Sequence, residues 1–177
     1  AERTHEIEEN ATLADRELFS VYDEPDVLFI TPKKIEENFL TYYKELLGVK
    51  KIDVLVPSQH SGLLSEDVMA DKVIFNQLIA AANSAKKLTL LSYSTSFQFL
   101  NLVKALRAKG VTVYTPEAPE EQDAWTVNFY GSKSGIRQLG QQSVADEPDF
   151  VMADGLICVN VIDAAKIAAR KYLKEDG

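Results

Sequence analysis

Cysteine and histidine are scarce in this sequence, which has one cysteine and two histidines among its 177 residues. One cysteine cannot form an internal disulfide, and two histidines are too few for a histidine-rich zinc site. We therefore expect no structural metal, and a chain of this length can bury enough apolar surface to fold without one. Cys158 lies in the apolar run LICV, where we expect a buried small side chain and not a nucleophile.

Long apolar runs and a net positive charge are absent too. No run approaches the roughly 20 apolar residues that span a bilayer, and the charged start AERTHEIEEN lacks the apolar middle of a signal peptide. The formal net charge is -8, which disfavours a polyanionic partner. These absences predict a cytoplasmic protein whose principal partner is neither a membrane nor a nucleic acid.

Two phosphate-binding fingerprints are also missing. The motif GxGxxG does not follow the first predicted strand, and neither GxxxxGKS nor GxxxxGKT occurs anywhere in the sequence. A nicotinamide enzyme or a P-loop nucleotidase would need one of these glycine-rich loops to hold its phosphates. The sequence therefore disfavours both classes of enzyme.

Apolar runs of strand length alternate with stretches in which apolar residues recur at helical spacing. The helix after the first strand is predicted to end at Gly48, and the helix after the second to start at Ser65 as its N-cap. Parallel strands need helical crossovers, so the pattern predicts an α/β fold: a Rossmann-like, four-stranded parallel sheet with flanking helices and right-handed crossovers. The predicted strands are Val27–Ile30, Ile52–Val56, Leu88–Leu91 and Val111–Tyr114.

Composition divides the chain into three segments. Residues 1–25 are acidic and weakly patterned, as expected of an arm or a helix of the first layer, and residues 26–116 carry the Rossmann-like pattern. Residues 117–177 begin with an acidic, proline-containing stretch that we expect to be an exposed linker. The GSKSG turn, a helix to about Gln142, a short strand in GLICV and an amphipathic helix are predicted to follow.

Polar side chains follow the predicted strands at the points where ligands collect in open α/β sheets. The stretch SYSTS places the hydroxyls of Ser94, Thr95 and Ser96 directly after the third strand and before a helix. These hydroxyls suit a carboxylate or another polar small molecule, and helix capping is their alternative role. His60 in PSQHSG follows the second strand and is a candidate substrate-binding residue or general base, with an ordinary surface position as the alternative.

The stretch GSKSGIR combines glycines, hydroxyls and two cations. Lys133 and Arg137 lie one helical turn apart, and Ser132 or Ser134 can cap the helix that follows. A phosphate group would be stabilised by these cations beside a helix N-terminus. A capped surface helix with two solvated cations is the alternative.

The order of these segments resembles the pre-ATP-grasp domain that precedes the catalytic core in one group of ATP-grasp carboxylate-amine (peptide) ligases. The resemblance rests on VLFITPKKIEENFLTYYKELLG, IDVLVPSQ, LSEDVMAD, LLSYSTS, VTVYTP and NFYGSKSGIRQL, and it covers about Asp26 to the end. In that family the Rossmann-like domain is followed by a strand, a segment with Asn, Lys, Ser and Arg, and a helix. Asn128, Lys133, Ser134 and Arg137 stand in the positions of that segment.

The resemblance implies ATP-dependent joining of a small carboxylate to an amine through an acyl phosphate, with magnesium holding the phosphates. It assigns Lys133, Ser134 and Arg137 to the nucleotide. The core residues that bind adenine and magnesium are not among these 177 residues, so we expect this chain to act with the rest of the ligase or a core subunit and not to be catalytic by itself. The alternative is a non-catalytic Rossmann-like module that binds a small acidic metabolite or a protein partner.

Overall fold

A computed structural model describes most of the chain. The described residues are 14–22, 24, 26–85, 88–147, 149–153, 155–158 and 160–173. They belong to two compact units, Ala1–Ala124 and Trp125–Gly177. Each unit is described by itself below.

The first unit alternates strands and helices. Its strands are β1 (Asp26–Ile30), β2 (Lys51–Leu55), β3 (Leu88–Thr89) and β4 (Val113–Tyr114). Its α-helices are α1 (Glu37–Leu47), α2 (Leu64–Ala70), α3 (Lys72–Ala85) and α4 (Phe97–Arg107). Two 3₁₀ helices, Ala14–Val21 and Glu121–Asp123, complete the unit.

The four strands form two parallel pairs. Val27 of β1 pairs with Ile52 of β2, and Leu88 of β3 pairs with Val113 of β4. The α/β class with parallel strands is therefore confirmed, whereas the single four-stranded sheet is wrong for the described residues, which form two two-stranded sheets. An apolar run predicts an extended buried segment, but hydrogen bonds to strands far along the chain decide which segments join into one sheet. The handedness of the crossovers stays a prediction.

Helices and loops cover β1 on both faces. Leu28 and Ile30 pack against one cluster of buried side chains, and Val27 and Phe29 pack against another, as expected because successive side chains of a strand point to opposite faces. The first cluster comprises Val68, Ile74, Leu78, Ala82, Phe99, Leu102, Val103, Leu106, Val111 and Val113. The second comprises Leu18, Ile35, Tyr43, Leu47, Val49 and Ile52.

The predicted cap at Gly48 is confirmed, and the predicted cap at Ser65 is wrong. Gly48 ends α1 with a φ of 70°, a left-handed conformation that glycine adopts without a side-chain clash. The segment predicted as one helix after β2 is two helices, because α2 starts after Leu63 and ends at Ala70, with Asp71 as its C-cap. The Asp71 carboxylate accepts hydrogen bonds from the N–H groups of Val73 and Ile74 and so starts α3.

Asp71 makes the stability of this corner depend on pH. Hydrogen bonds from the Ser58 and Ile74 backbone N–H groups lower the pKa of the Asp71 carboxyl. Because the folded-state pKa is lowered, the contribution is fully present above the unfolded-state value of about 4 and is lost as pH falls through the folded-state pKa. We expect Asp71→Asn to lower the melting temperature at neutral pH and to lower it by less in acid, below about pH 4. An equal loss at both pH values would contradict this origin.

Thr31, directly after β1, is fully buried, and its Oγ1 has no hydrogen-bond partner among the described residues. Since an unpaired buried hydroxyl costs about 1–3 kcal/mol in desolvation, we expect Thr31→Val to raise the free energy of unfolding by about 1 kcal/mol. Urea titration measures this free energy, and an unchanged m-value shows that the unfolding transition itself is the same in both proteins. Thr41→Val is the matched control, because the exposed Thr41 hydroxyl already donates to the Glu37 carbonyl. A loss of stability in Thr31→Val would show that the Thr31 hydroxyl has a partner.

The acidic stretch after β4 is tied to α4 by ion pairs. Glu120 Oε2 lies 2.9 Å from Arg107 Nη1, and Glu121 pairs with Lys104. The hydrogen bond and the charge of Lys104 lower the pKa of the Glu121 carboxyl. Both ion pairs are exposed, so they are expected to contribute little to the free energy of unfolding. We infer that their main effect is to hold this stretch beside α4.

The regular secondary structure among the described residues of the second unit is entirely helical. They are α5 (Trp125–Tyr130), α6 (Lys133–Asp146) and α7 (Val161–Tyr172). The strand that the family resemblance implies before the GSKSG turn is wrong, since Trp125–Tyr130 is helical. Residues 155–158 of the predicted GLICV strand are not in a strand either, and Val159 lies outside the described residues. The predicted amphipathic helix is confirmed by α7, which Asn160 caps with a bond from Asp163 N.

Candidate functional site

Hydroxyl groups fix the start of α6, where the GSKSG turn lies. Ser132 is the N-cap, and its Oγ accepts a hydrogen bond of 2.9 Å from the N–H of Gly135. The same Oγ donates to the Phe129 carbonyl oxygen at 3.1 Å and lies 3.2 Å from Ser134 Oγ. The capping role that the sequence left open between Ser132 and Ser134 therefore belongs to Ser132.

Gly135 lets α6 approach the end of α5 closely. A Cβ atom at Gly135 would lie 1.7 Å from the Phe129 carbonyl oxygen and 3.0 Å from Ser132 Oγ. No side chain fits there, because non-bonded atoms do not approach to such a distance. The glycine therefore sets the close α5–α6 corner that holds Lys133 and Ser134 at the first turn of α6.

A concavity of about 580 Å³ lies beside the first turns of α6. Its lining residues are Lys133, Ser134, Arg137, Gly155, Leu156 and Ile157. The three residues that the resemblance assigns to the nucleotide thus border one concavity, with Lys133 and Ser134 exposed. The side chain of Asn128 lies outside what the structure describes.

Arg137 also contacts the chain that follows α6. Its Nη1 donates a 3.0 Å hydrogen bond to the carbonyl oxygen of Ala153, and its guanidinium lies against Gly155. Arg137 further borders a second concavity of about 420 Å³. The remaining lining residues of that concavity are Gln141, Val144, Phe150, Val151, Met152 and Ala153.

The hydroxyls of the SYSTS stretch have mixed surroundings. Ser96 is the N-cap of α4, and its Oγ accepts a hydrogen bond of 3.2 Å from the Phe99 N–H. Thr95 Oγ1 donates to the Glu117 carbonyl oxygen at 3.3 Å, and Ser94 is exposed. None of the three borders either concavity described above, so their assignment to a substrate stays a prediction.

His60 lies in an exposed loop that two carboxylates hold in place. Asp67 Oδ2 accepts from Ser61 N at 3.0 Å, and Asp71 Oδ2 accepts from Ser58 N at 2.9 Å. His60 Nδ1 is 3.7 Å from Asp67 Oδ2, which is too long for a hydrogen bond.

Sequence reasoning missed Asp67 and Asp71 as partners of this loop. They follow the end of the loop at Leu63 by four and eight residues. Their spacing of four residues was the signal available, because that spacing puts both carboxylates on one face of a helix. Gly155 and Ala153 were missed as well, and no local pattern connects them to Arg137.

Two kinds of feature, metal-ligand clusters and membrane-spanning helices, are absent from the part of the chain that the structure describes. No group of three or more His, Cys, Asp and Glu side chains there could hold a metal ion. Among the same residues, no helix has both the length and the apolar character needed to cross a membrane.

A known protein family matches the first unit of the chain. The family model described as the Pre ATP-grasp domain matches residues 14–108. No curated protein and no solved structure matches the chain significantly. The match covers the strands and helices from β1 to α4 and the 3₁₀ helix before them, and it ends before the α6 concavity.

Proposed function

Because the chain belongs to the Pre ATP-grasp domain family, we propose that it is the N-terminal, substrate-side part of an ATP-dependent carboxylate-amine ligase and is not catalytic by itself. The observation that carries the nucleotide part of this proposal is the concavity shared by Lys133, Ser134 and Arg137. The family match supports the ligase, and the concavity supports contact with ATP phosphates at the start of α6.

The chemistry of this concavity suits an anion. Lys133 supplies an exposed ammonium group at the first position of α6, a helix of 14 residues whose N-terminus carries partial positive charge. Ser134 adds a hydroxyl beside it. Lys133 and Ser134 would therefore bind and orient a phosphate group of ATP, and the remainder of the nucleotide would contact the ligase core.

ATP, when bound, supplies the phosphoryl group that activates the carboxylate for attack by the amine. Magnesium does not fit the described residues, because they contain no cluster of metal-ligating side chains. We therefore assign magnesium to the core and derive no step through it. The role of this chain at the nucleotide is electrostatic: a fixed cation near the phosphates stabilises charge that moves during transfer.

The core of the ligase, in the same polypeptide or as a separate subunit, is the proposed protein partner. Among the described residues of the second unit, no large apolar side chain is fully buried, and those of Ile136, Val151, Val161 and Ile162 are more than half exposed. Apolar side chains at this density are expected to pack against further protein. This exposure supports an interface between the second unit and the core.

The substrate side of the proposal rests on the first unit. Ser94, Thr95, Ser96 and His60 follow the carboxyl ends of β3 and β2, where α/β sheets bind ligands. Ser94 and His60 are exposed, so they are the side chains of this set that a carboxylate or amine substrate would reach first.

Two observations test the proposed function. The reading frame of the parent gene, or a neighbouring gene, should encode an ATP-grasp core of roughly two more domain-lengths. In addition, ATP at millimolar concentration should leave the melting temperature of the isolated chain nearly unchanged, because most nucleotide contacts belong to the core. A gene without a core, together with tight binding of a small acidic metabolite by the isolated chain, would establish the non-catalytic module instead.

A further inference from the structure

We infer that Arg137 is a positioning residue. Its guanidinium holds residues 151–153 and 155–158, which we call the wall segment, beside α6. Residues 155–157 of this segment line the concavity that Lys133 borders, and residues 151–153 line the second concavity. The inference deepens the proposed function. Its statement that Lys133 is the cation that contacts phosphate rests on that proposed function, whereas the attachment of the wall segment rests on geometry alone.

The first contact is a charge-assisted hydrogen bond. Arg137 Nη1 donates to the Ala153 carbonyl oxygen at 3.0 Å across 16 residues of chain. Hydrogen bonds with one charged partner are stronger than neutral ones. This bond therefore ties the wall segment to the middle of α6.

The second contact depends on a glycine. A Cβ atom at Gly155 would lie 2.8 Å from Arg137 Nη1 and 3.1 Å from Cζ. The guanidinium can lie this close to the backbone only because residue 155 has no side chain. Arg137 thus contacts the wall segment at Ala153 and at Gly155, which fixes the segment more firmly than one bond would.

Lys133 has a different environment. It lies one helical turn before Arg137, it is exposed, and within the described part of the chain its ammonium makes no ion pair. The two cations of the GSKSGIR motif therefore have different roles. Arg137 holds the wall segment in place, and Lys133 remains available to a ligand.

Cys158 serves as the probe of whether the wall segment stays attached, because it is the single cysteine of the chain and ends this segment. We expect Arg137→Ala to raise the rate at which Cys158 reacts with a disulfide reagent such as dithionitrobenzoate by about tenfold, as expected for loss of a charged hydrogen bond. Gly155→Ala should raise this rate by less, because the guanidinium is the end of a flexible side chain and can shift away from the added Cβ. Arg137→Lys keeps the positive charge but lacks the forked geometry of the guanidinium. Its Cys158 reaction rate should therefore lie between those of Arg137→Ala and the unaltered protein.

Lys133→Ala is the matched control, since it removes a cation from the same concavity without touching the wall segment. Its Cys158 rate should stay within about twofold of the unaltered protein. Acceleration in Arg137→Ala without acceleration in Lys133→Ala therefore reports opening of the wall segment and not the loss of a cation. Circular dichroism of each variant checks that the total helix content is retained.

An unchanged Cys158 rate in Arg137→Ala, or equal acceleration in Lys133→Ala, would overturn the positioning role. These rates are measured without nucleotide. A failure of the proposed ATP contact would leave them unaffected, and the two ideas can therefore fail separately.

Discussion

Replacing Gly135 with alanine is expected to disrupt the α5–α6 corner and to destabilise the second unit by about 3 kcal/mol, at the upper end of the usual overpacking range. The added Cβ would lie 1.7 Å from the Phe129 carbonyl oxygen. Backbone atoms inside a helix cannot move away without breaking hydrogen bonds, so α5 and α6 must separate. The Ser132 cap would be lost in the same movement, because its Oγ bonds the Gly135 N–H.

Trp125, the single tryptophan of the chain, lies in α5 and serves as the probe of this change. Its ring centroid is 6.1 Å from that of Phe129, so separation of α5 from α6 should alter its fluorescence. We expect Gly135→Ala to lower the midpoint of the thermal transition followed by Trp125 fluorescence.

Gly140→Ala is the matched control in the same helix. Its added Cβ would meet Met152 Sδ at 2.5 Å, and a flexible thioether can move aside at little cost. We expect Gly140→Ala to change the midpoint much less than Gly135→Ala. Equal effects of the two substitutions would contradict the role assigned to the Phe129 carbonyl.

Changing Lys133 to alanine in the proposed ligase, assayed together with its core, should raise the ATP concentration needed for half-maximal ligation by about tenfold or more, as expected for loss of a charge-assisted hydrogen bond. Lys133 lines the concavity at the start of α6 and has no structural contact that its removal would break among the described residues. The substitution should therefore leave the melting temperature unchanged while it weakens the response to ATP.

Lys166→Ala is the control for Lys133→Ala, since Lys166 is an exposed lysine of the same unit on α7. It should leave the ATP dependence unchanged. An unaltered rate and ATP dependence in Lys133→Ala would reduce the GSKSG turn to a capped helix start.

The local features of the fold could be predicted from the sequence. The helix end at Gly48 and the extended runs at β1 and β2 follow from residue type and periodicity over a few residues. The break at Asp71 was missed because the apolar pattern continues through it, while a carboxylate that bonds Val73 and Ile74 starts a new helix. The prediction that the two strand pairs join into one four-stranded sheet was wrong. Strand pairing depends on contacts between residues far apart in the chain, and periodicity does not encode those contacts.

The candidate site shows the same division. Lys133, Ser134 and Arg137 border one concavity because their spacing of one and four residues places them on the first turns of one helix. The contact of Arg137 with Ala153 and Gly155 spans 16 and 18 residues and could not be read from the local motif. The helix Trp125–Tyr130 contradicts the strand implied by the resemblance. The sequence did not show this, because the aromatic residues of the segment are compatible with either structure.

The most direct test of the ligase proposal is to follow ADP release by the full-length protein with hydroxylamine in place of the amine substrate. Hydroxylamine attacks an acyl phosphate to give a hydroxamate and phosphate, so each turnover converts carboxylate, ATP and hydroxylamine into hydroxamate, ADP and phosphate. With a panel of small carboxylic acids, we expect ADP and hydroxamate to form in equal amounts and only when a carboxylate is present. ADP release that is the same without carboxylate, release of AMP and pyrophosphate, or no nucleotide turnover with any acid would contradict the proposal.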